Sequence, residues 1–215
     1  MERSNEERME RGLAFIISGP AGTGKGTVVS RLRELMPSLG VSVSATTRAP
    51  RPGEVDGQNY HFISRERFEE LIRDGGVLEY TEYCGNLYGT LRCEAERILD
   101  SGCDIILEIE VEGALNIKSL MPHDSVAIML MAPDPSELER RLRDRGTETD
   151  EVIIRRLRRA TEEIARAEQY DYAVINETGN IDLAADEIMS IIRAEHRRIS
   201  RMRPIIDRYA AASRA

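Results

Sequence analysis

A glycine-rich segment carries the residues of this chain whose types and spacing point most clearly to chemistry. It consists of Ser18, Gly19, Pro20, Ala21, Gly22, Thr23, Gly24, Lys25, Gly26 and Thr27. Glycines allow successive backbone N–H groups to point into one concavity, and the start of a helix would add the positive end of its dipole. Lys25 adds a full positive charge. The spacing Gly-x-x-x-x-Gly-Lys therefore predicts a loop that binds phosphates.

The residue after the lysine departs from this motif. Ser or Thr usually stands there and holds the Mg²⁺ that accompanies a nucleotide, whereas this chain has Gly26 there and Thr27 one position later. Phosphate binding by the backbone does not depend on that hydroxyl. We still expect Mg²⁺ as a cofactor, because it accompanies the nucleotide. Whether Thr27 contacts it directly is left open.

The elements around the loop are those that such a loop requires. Residues 13–17 form an unbroken apolar run, typical of a strand buried on both faces of a parallel sheet, and residues 28–36 form a helical pattern that ends before Pro37. Further buried strands are predicted at residues 103–110, 126–131 and 173–175. Helices are predicted at residues 91–99, 134–145, from about 150 onwards, and 181–203 up to Pro204. This alternation indicates an α/β fold whose parallel sheet is flanked by helices.

Residues 41–90 do not follow that rhythm and are predicted to form an inserted, strand-rich lobe. Strands are expected at residues 41–44, 59–63 and 77–84, with a helix at 65–74 capped by Ser64. The predicted organisation is a core of residues 12–40 and 91–192, the lobe 41–90, and a helical lid at about 136–160. A charged lead-in (1–11) and a helical extension of unassigned role (193–215) complete the chain.

Arginines in the lobe are placed to bind one anionic group. Arg48 and Arg51 lie in a loop stiffened by Pro50 and Pro52, which would hold two guanidinium forks at a fixed separation suited to a phosphate. A solvated charged turn is the alternative interpretation.

Two further arginine pairs lie on the predicted lid helices. Arg141 and Arg145 are four residues apart, and Arg156 and Arg159 are three apart, so each pair shares a helix face. Such a hairpin could close over phosphates, or it could be a salt-bridged surface pair of helices. Phosphoryl transfer requires mainly positioning and positive charge, and the loop, the arginine pair and the lid would supply both.

The composition limits the possible partners and location. The net charge of −8 argues against general attraction to nucleic acid, and no apolar run approaches a membrane span. Three cysteines without paired spacing, and a charged segment 1–11 in place of an apolar signal, argue against a secreted disulfide framework. We therefore expect a cytoplasmic protein without nucleic-acid or membrane partners, as a monomer or homodimer.

Several motifs in register resemble those of the guanylate kinases, from about residue 13 to residue 192. They are the phosphate loop, residues 42–51 with Gly53, Glu54 and Gly57, residues 60–62, Glu79, residues 85–90, and residues 145–149. The resemblance implies a P-loop kinase fold with a mixed-β GMP-binding lobe. It also implies transfer of the γ-phosphoryl group of Mg-ATP to GMP, and to dGMP, in purine metabolism and GMP recycling.

The resemblance also implies a role for individual residues. The catalytic residues would be Lys25, Arg48, Arg141, Arg145 and Arg156. The ATP-binding residues would be residues 19–27, with Asn176 near the adenine. The guanine would be read by Ser44, Glu79, Thr90 and Glu108, and the GMP phosphate would be held by Arg48, Arg51, Tyr60 and Tyr88. Glu110, through water, and Thr27 are candidates for Mg²⁺.

The chemistry of Glu79 fits a guanine reader. Guanine offers two adjacent donors, N1–H and N2–H₂, which one carboxylate can accept, whereas adenine offers a lone pair that a carboxylate repels. A site built on hydrogen bonds rejects ligands that leave them unmade by a factor of about 10⁴ or more. The alternative is a surface carboxylate on a strand face.

Two departures from the family pattern and two rival functions stay open. Ala21 replaces a frequent Ser, and Glu108, which is one methylene longer, stands where Asp is common. The first rival is a phosphopeptide-binding module of the kind found in scaffold proteins, which the retained Lys25 disfavours. The second is a kinase for another acceptor, such as a phosphorylated sugar, which Ser44, Glu79 and Thr90 together disfavour. The extension after residue 192 is interpreted as a solvated appendage or as a helix packed on a partner subunit.

Overall fold

The secondary structure alternates between strands and helices along most of the chain. The structure is a computed structural model and describes residues 11–144 and 149–212. Its strands are β1 (Ala14–Ser18), β2 (Ala45–Thr46), β3 (His61–Phe62), β4 (Val77–Tyr83), β5 (Asn86–Leu91), β6 (Ile105–Glu108), β7 (Ser125–Met131) and β8 (Tyr172–Ile175). Its helices are α1 (Lys25–Leu35), α2 (Arg65–Arg73), α3 (Arg92–Asp100), α4 (Val111–Leu120), α5 (Pro135–Asp144), α6 (Asp150–Ile164), α7 (Ile181–Glu195) and α8 (Arg203–Ala212), with a 3₁₀ turn at Ala167–Gln169.

The four strands predicted to be buried form one parallel sheet in the order β6-β1-β7-β8. Side chains of β1 alternate between two cores, as the twofold period of a strand requires. Phe15 and Ile17 pack with α1 and α7 on one face. Ala14 and Ile16 pack with α3 and α4 on the other. The α/β fold class with a parallel sheet is therefore confirmed. None of the helices formed by the described residues is long and apolar enough to cross a membrane.

The inserted lobe contains a second, mixed sheet in the order β3-β2-β5-β4. Its strands β2 and β3 run parallel, whereas β5 is antiparallel to β2 and β4. Phe68 of α2 is fully buried beneath this sheet with Ala45 and Leu87. The predicted cap of α2 is confirmed, because Ser64 Oγ accepts a hydrogen bond from Arg67 N–H at 3.2 Å.

Helices α5 and α6 pack on each other around Leu138, Leu142, Ile153 and Ala160. Asp134 caps α5 by accepting a hydrogen bond from Glu137 N–H at 2.9 Å. The predicted lid residue Arg145, with residues 146–148, lies outside the described residues.

The sequence predictions of secondary structure were wrong or incomplete in four places. Residues 41–44 are not a strand, because the chain leaves the first sheet after the bridge of Gly40 to Ile105 and joins the second sheet only at Ala45. Strand β5 and helix α4 were not predicted. The helix predicted to reach residue 203 ends at Glu195, and Pro204 lies in the first turn of a new helix, α8. A proline suits a first turn because it lacks an N–H that would have no helical partner there.

A buried carboxylate fastens the end of α7 to the parallel sheet. Glu195 is 1% exposed and accepts a hydrogen bond from the Tyr172 hydroxyl at 2.5 Å. Arg198 and Arg201 pair with the same carboxylate at 3.2 and 3.4 Å. Next to it, His196 Nε2 lies 2.8 Å from an Asp104 carboxylate oxygen. Side-chain contacts from His196, Arg198 and Arg201 therefore tie the first residues after α7 to this end of the fold, although residues 196–200 are exposed.

The substitution Tyr172→Phe should lower the free energy of unfolding by about 1.5–3 kcal/mol, because it removes a hydrogen bond to a buried charged group. Urea unfolding followed by circular dichroism measures this change. The matched control is Tyr80→Phe, whose ring is 52% exposed and which should change stability by no more than about 0.5 kcal/mol. Equal losses in the two variants would contradict the role assigned to Glu195.

Candidate active site

The phosphate loop connects the end of β1 to the start of α1. Three of its glycines have positive φ: Gly19 (147°), Gly22 (96°) and Gly24 (87°). At Gly19, an added Cβ would lie 2.2 Å from the carbonyl oxygen of Leu130 in β7. Only glycine therefore allows the loop to pass so close to the neighbouring strand. Gly24 caps α1 without a side-chain hydrogen bond, so the helix start can donate its N–H groups to an anion.

The side chain of Lys25 folds back over this loop. Its Nζ donates to the carbonyl oxygens of Gly19 at 2.5 Å and Pro20 at 3.4 Å, and it lies 3.6 Å from a Glu110 carboxylate oxygen. A hydrogen bond within the loop restrains its conformation, since the Thr23 hydroxyl donates to the carbonyl oxygen of Pro20 at 2.9 Å. The ammonium group is thus held at the mouth of the loop, where phosphates would lie.

One cavity lies beside the loop on the side of Thr27. Its volume is about 400 Å³, and its lining includes Gly22, Gly24, Thr27, Arg140, Arg141 and Asn176. Asn176 is buried, and its Nδ2 donates to the carbonyl oxygen of Thr23 at 2.8 Å. We call this the donor cavity, since it contains residues assigned to ATP.

Arg141 is fixed in the donor cavity by several partners. Its Nε donates to Glu137 at 2.7 Å, and its Nη2 donates to the Asn176 carbonyl at 2.7 Å and to the Thr178 hydroxyl at 2.8 Å. Hydrogen bonds from Arg140, Thr178 and Arg141, in that order, hold the pKa of Glu137 far below its usual range. Glu137 therefore stays ionised and fixes the guanidinium groups at neutral pH.

A second cavity of about 390 Å³ lies between the two sheets. The residues predicted to bind GMP that line it are Ser44, Tyr60, Glu79, Tyr88 and Glu108. It is also lined by Lys25, Glu110, Glu112 and Arg159. We call this the acceptor cavity. Lys25 belongs both to this lining and to the phosphate loop, so the two candidate substrates would meet at its ammonium group.

Glu79 is the carboxylate of the acceptor cavity whose environment is most unusual. Burial raises its pKa, and a hydrogen bond from the Thr90 hydroxyl at 2.8 Å opposes that shift. Thr90 itself is 5% exposed and lies in β5, opposite Glu79 in β4. The strand pairing thus places a hydroxyl against the carboxylate and fixes its orientation toward the cavity.

Arg48 lies behind the acceptor cavity, against its aromatic wall. Its guanidinium forms two hydrogen bonds with Glu54, at 2.8 and 2.9 Å, and lies 5.7 Å from the ring centroid of Tyr60. Tyr60 in turn packs edge-on against Tyr88, with ring centroids 6.0 Å apart. Arg51 is exposed, and its backbone N–H donates to Glu54 at 2.6 Å. Glu54 therefore organises the predicted phosphate-binding loop.

The two predicted metal candidates line different cavities. Thr27 lines the donor cavity, whereas Glu110 lines the acceptor cavity beside Lys25. Gly26, the position after the lysine, faces Glu108. A Cβ added to Gly26 would lie 3.4 Å from a Glu108 carboxylate oxygen. The carboxylate of Glu108 thus lies next to the place where the motif usually carries its hydroxyl.

Four assignments outside the phosphate loop, Arg48, Arg51, Thr90 and Arg156, are not among the described residues that line either cavity, and a fifth falls outside the described residues. Arg145 is not among the described residues. Arg156 is half-buried on α6 and is not among the described residues that line either cavity. Thr90 is linked to the acceptor cavity through its hydrogen bond to Glu79.

Three contributors were not assigned from the sequence. Glu54 stands six residues after Arg48 and three after Arg51, a spacing across a Pro-Gly turn that could have indicated the pairing. Glu137 stands four residues before Arg141 on a helix, a spacing typical of an ion pair. Arg159 was noted only as a partner of Arg156, and its place in the acceptor cavity depends on how α6 packs.

A phosphate loop at the carboxyl end of a parallel sheet, with one cavity lined by its lysine and another lined by its glycines, defines the class of P-loop kinases. The guanylate kinase family model matches residues 11–195. The chain is 50% identical over 200 residues to a guanylate kinase of Lactococcus lactis, covering 93% of this chain and 95% of that protein. It is 52% identical over 194 residues to a guanylate kinase of Streptococcus thermophilus, covering 90% and 91%.

A solved structure agrees with these sequence relationships. The crystal structure of guanylate kinase from Anaplasma phagocytophilum matches with a TM-score of 0.65 and 35% sequence identity, covering 89% of this chain and 90% of that one. The chain therefore belongs to the guanylate kinase family. It is an enzyme of that family, and the activity that the family name denotes is ATP-dependent phosphorylation of GMP.

The substitution Gly19→Ala should lower the free energy of unfolding by about 3 kcal/mol or more, because it combines left-handed strain with a backbone clash. Urea unfolding measures the loss, and calorimetry should show weaker ATP binding. Gly75→Ala is the matched control, since Gly75 also has a positive φ (68°) but an added Cβ there has no neighbour within 4 Å. That control should lose only about 1–2 kcal/mol. Equal losses would show that the close approach to Leu130 is unimportant.

Proposed function

We propose that the chain transfers the γ-phosphoryl group of Mg-ATP to GMP or dGMP, giving ADP and GDP or dGDP, and so recycles GMP in purine metabolism. The observation that carries this proposal is the half-buried carboxylate of Glu79, held by the buried Thr90, in a cavity that is also lined by the phosphate-loop lysine, Lys25. A guanine-reading carboxylate is thereby joined to a phosphate-binding cation. The proposed contacts are to base and phosphate, and none is to the ribose 2′-hydroxyl, so dGMP is included.

On the acceptor side, each lining residue has a proposed contact. Glu79, oriented by Thr90, accepts from guanine N1–H and N2–H₂, and Ser44 lies in the same lining. The monophosphate is proposed to bind Tyr60 and Tyr88 and the guanidinium forks of the Arg48–Arg51 loop. Because Arg48 is paired with Glu54, its guanidinium would exchange that carboxylate for the phosphate.

On the donor side, the backbone of residues 19–27 binds the ATP phosphates, with Asn176 near the adenine. Arg141 is proposed to contact the phosphates from above, since it is fixed beside Gly22 and Gly24. Arg145 and Arg156 complete the proposed set on the lid. Lys25 lies between the two substrates and stabilises the negative charge of the transferring group. Closure of the lid excludes water and so suppresses hydrolysis of ATP.

The residues at the loop fit Mg²⁺ held mainly by phosphates and water. No group of three or more His, Cys, Asp or Glu side chains among the described residues could hold a metal ion. Mg²⁺ typically takes one or two carboxylates, together with substrate phosphates and water. Glu108, beside Gly26, and Glu110, beside Lys25, are the carboxylates placed for this, so we assign Glu108 to the metal side of the cavity. When bound, the ion would neutralise phosphate charge.

The first test is an ADP-release assay with Mg-ATP and GMP, dGMP, AMP, CMP or UMP as acceptor. Turnover should be confined to GMP and dGMP, since the other bases do not offer the same pair of donors to Glu79. Arg51→Ala should lose most of the turnover, because it removes one of the two forks proposed for the monophosphate. Preference for another acceptor would support the alternative kinase, and absence of Mg-ATP binding by calorimetry would support the phosphopeptide module.

The second test uses the raised pKa of Glu79. The charged carboxylate is the form that binds guanine, so kcat/KM for GMP should fall as the pH is lowered toward that pKa. Thr90→Val removes the hydrogen bond that lowers the pKa, and the acidic limb of the pH profile should therefore move to higher pH. In Glu79→Gln the part of the acidic limb that reports Glu79 is absent. Adding Thr90→Val to Glu79→Gln should therefore leave the remaining pH profile unchanged. An unchanged limb in Thr90→Val would contradict the assignment.

A further inference from the structure

Arg159 lines the acceptor cavity. From the sequence it was identified only as the neighbour of Arg156 on a predicted lid helix. The side chain is 65% exposed, and it lines the cavity together with Lys25 and Glu79. Its neighbour Arg158 is exposed and is not among the described residues of that lining. Consecutive residues on a helix point about 100° apart, so only one of the two can face the cavity.

The guanidinium of Arg159 is held by a buried carboxylate. Its Nε donates to Glu163 at 2.7 Å, and Glu163 is only 9% exposed. A buried carboxylate is costly without a charged partner, so this contact fixes the guanidinium. The hydrogen bond with Glu163 raises the pKa of Arg159, and the charges of Glu110 and Glu112 add to this. Among the described residues, the two Nη groups make no hydrogen bond and remain able to donate.

The charge balance of the acceptor cavity indicates what these donors bind. Its described lining contains four carboxylates, Glu79, Glu108, Glu110 and Glu112, and two cations, Lys25 and Arg159. Lys25 is already bound to the carbonyls of its loop and to Glu110. A phosphate that enters this cavity is repelled by the carboxylates, and Arg159 is the lining cation whose donors remain available to it.

We propose that Arg159 binds the phosphate of the acceptor nucleotide and that Glu163 is the residue that positions it. The donor phosphates have separate arginines, because the donor cavity contains Arg140 and Arg141. A guanidinium held through Nε presents its two Nη groups as a fork, which suits two phosphate oxygens. The identity of the acceptor, GMP, rests on the proposed function. The contact between Arg159 and a phosphate does not.

The test compares GMP with guanosine, which has the same base and ribose but no phosphate. Binding is measured by NMR titration in the presence of a non-hydrolysable ATP analogue. Arg159→Gln keeps a donor for Glu163 but removes the guanidinium charge. It should weaken GMP binding by about tenfold, the usual effect of one hydrogen bond to a charged group, and leave guanosine binding within about twofold of wild type.

The controls separate a phosphate contact from a structural role. Arg158→Gln should change neither affinity. Arg159→Lys should recover part of the GMP affinity, because it restores the charge without the fork. Glu163→Ala should weaken GMP binding alone but not when added to Arg159→Gln, since Glu163 acts through Arg159. Thermal unfolding of each variant checks that it is folded.

Two outcomes would overturn the proposal. One is an unchanged GMP affinity in Arg159→Gln, and the other is an equal loss for GMP and guanosine. The wild-type acceptor assay is done first, so that a failure of the proposed function is seen separately. If another nucleoside monophosphate proves to be the acceptor, the same comparison is made with it and its nucleoside.

Discussion

The close approach of the phosphate loop to the central sheet is the constraint on which the rest of the structure depends. Gly19 passes so near the Leu130 carbonyl that no side chain fits there, and this holds the loop at the carboxyl end of β1. β1 must in turn be a central strand, buried on both faces and paired on both edges. The helices pack on the two faces of this sheet, and the two cavities lie at its carboxyl edge. The positions of both therefore follow from the position of β1.

Charge pairing determines how the proposed cations reach phosphates. Lys25 lies near Glu110, Arg48 binds Glu54, and Arg141 binds Glu137. Each carboxylate restricts the motion of its cation, so less conformational entropy is lost when a phosphate arrives. The same contacts oppose binding, since the phosphate must compete with a carboxylate. A dianionic phosphate that accepts two hydrogen bonds from a guanidinium fork can win that competition. The arrangement favours phosphate ligands over weaker anions.

The parallel sheet was predictable because its four strands are short apolar runs with helices between them. The lobe was less predictable, because β2 and β3 have only two residues each and are defined by pairing with strands elsewhere. Strand β5 was missed for the same reason. Its residues pair with β4 in a hairpin, and neither composition nor periodicity marks it. The cap residue Ser64 was predicted correctly, since capping depends on contacts within three residues.

The sequence by itself determined the phosphate loop, the fold class and the family, because these depend on local spacing and on motifs that occur in order. Tertiary structure decided how side chains distant in the chain share the two cavities. It placed Thr27 and Glu110 in the linings of different cavities, placed Glu108 beside Gly26, and brought Arg159 into the cavity of Glu79. Such placements depend on how α6, the strand ends and the second sheet pack around the loop. Packing of that kind is a property of contacts between distant segments, and no pattern of neighbouring residues encodes it.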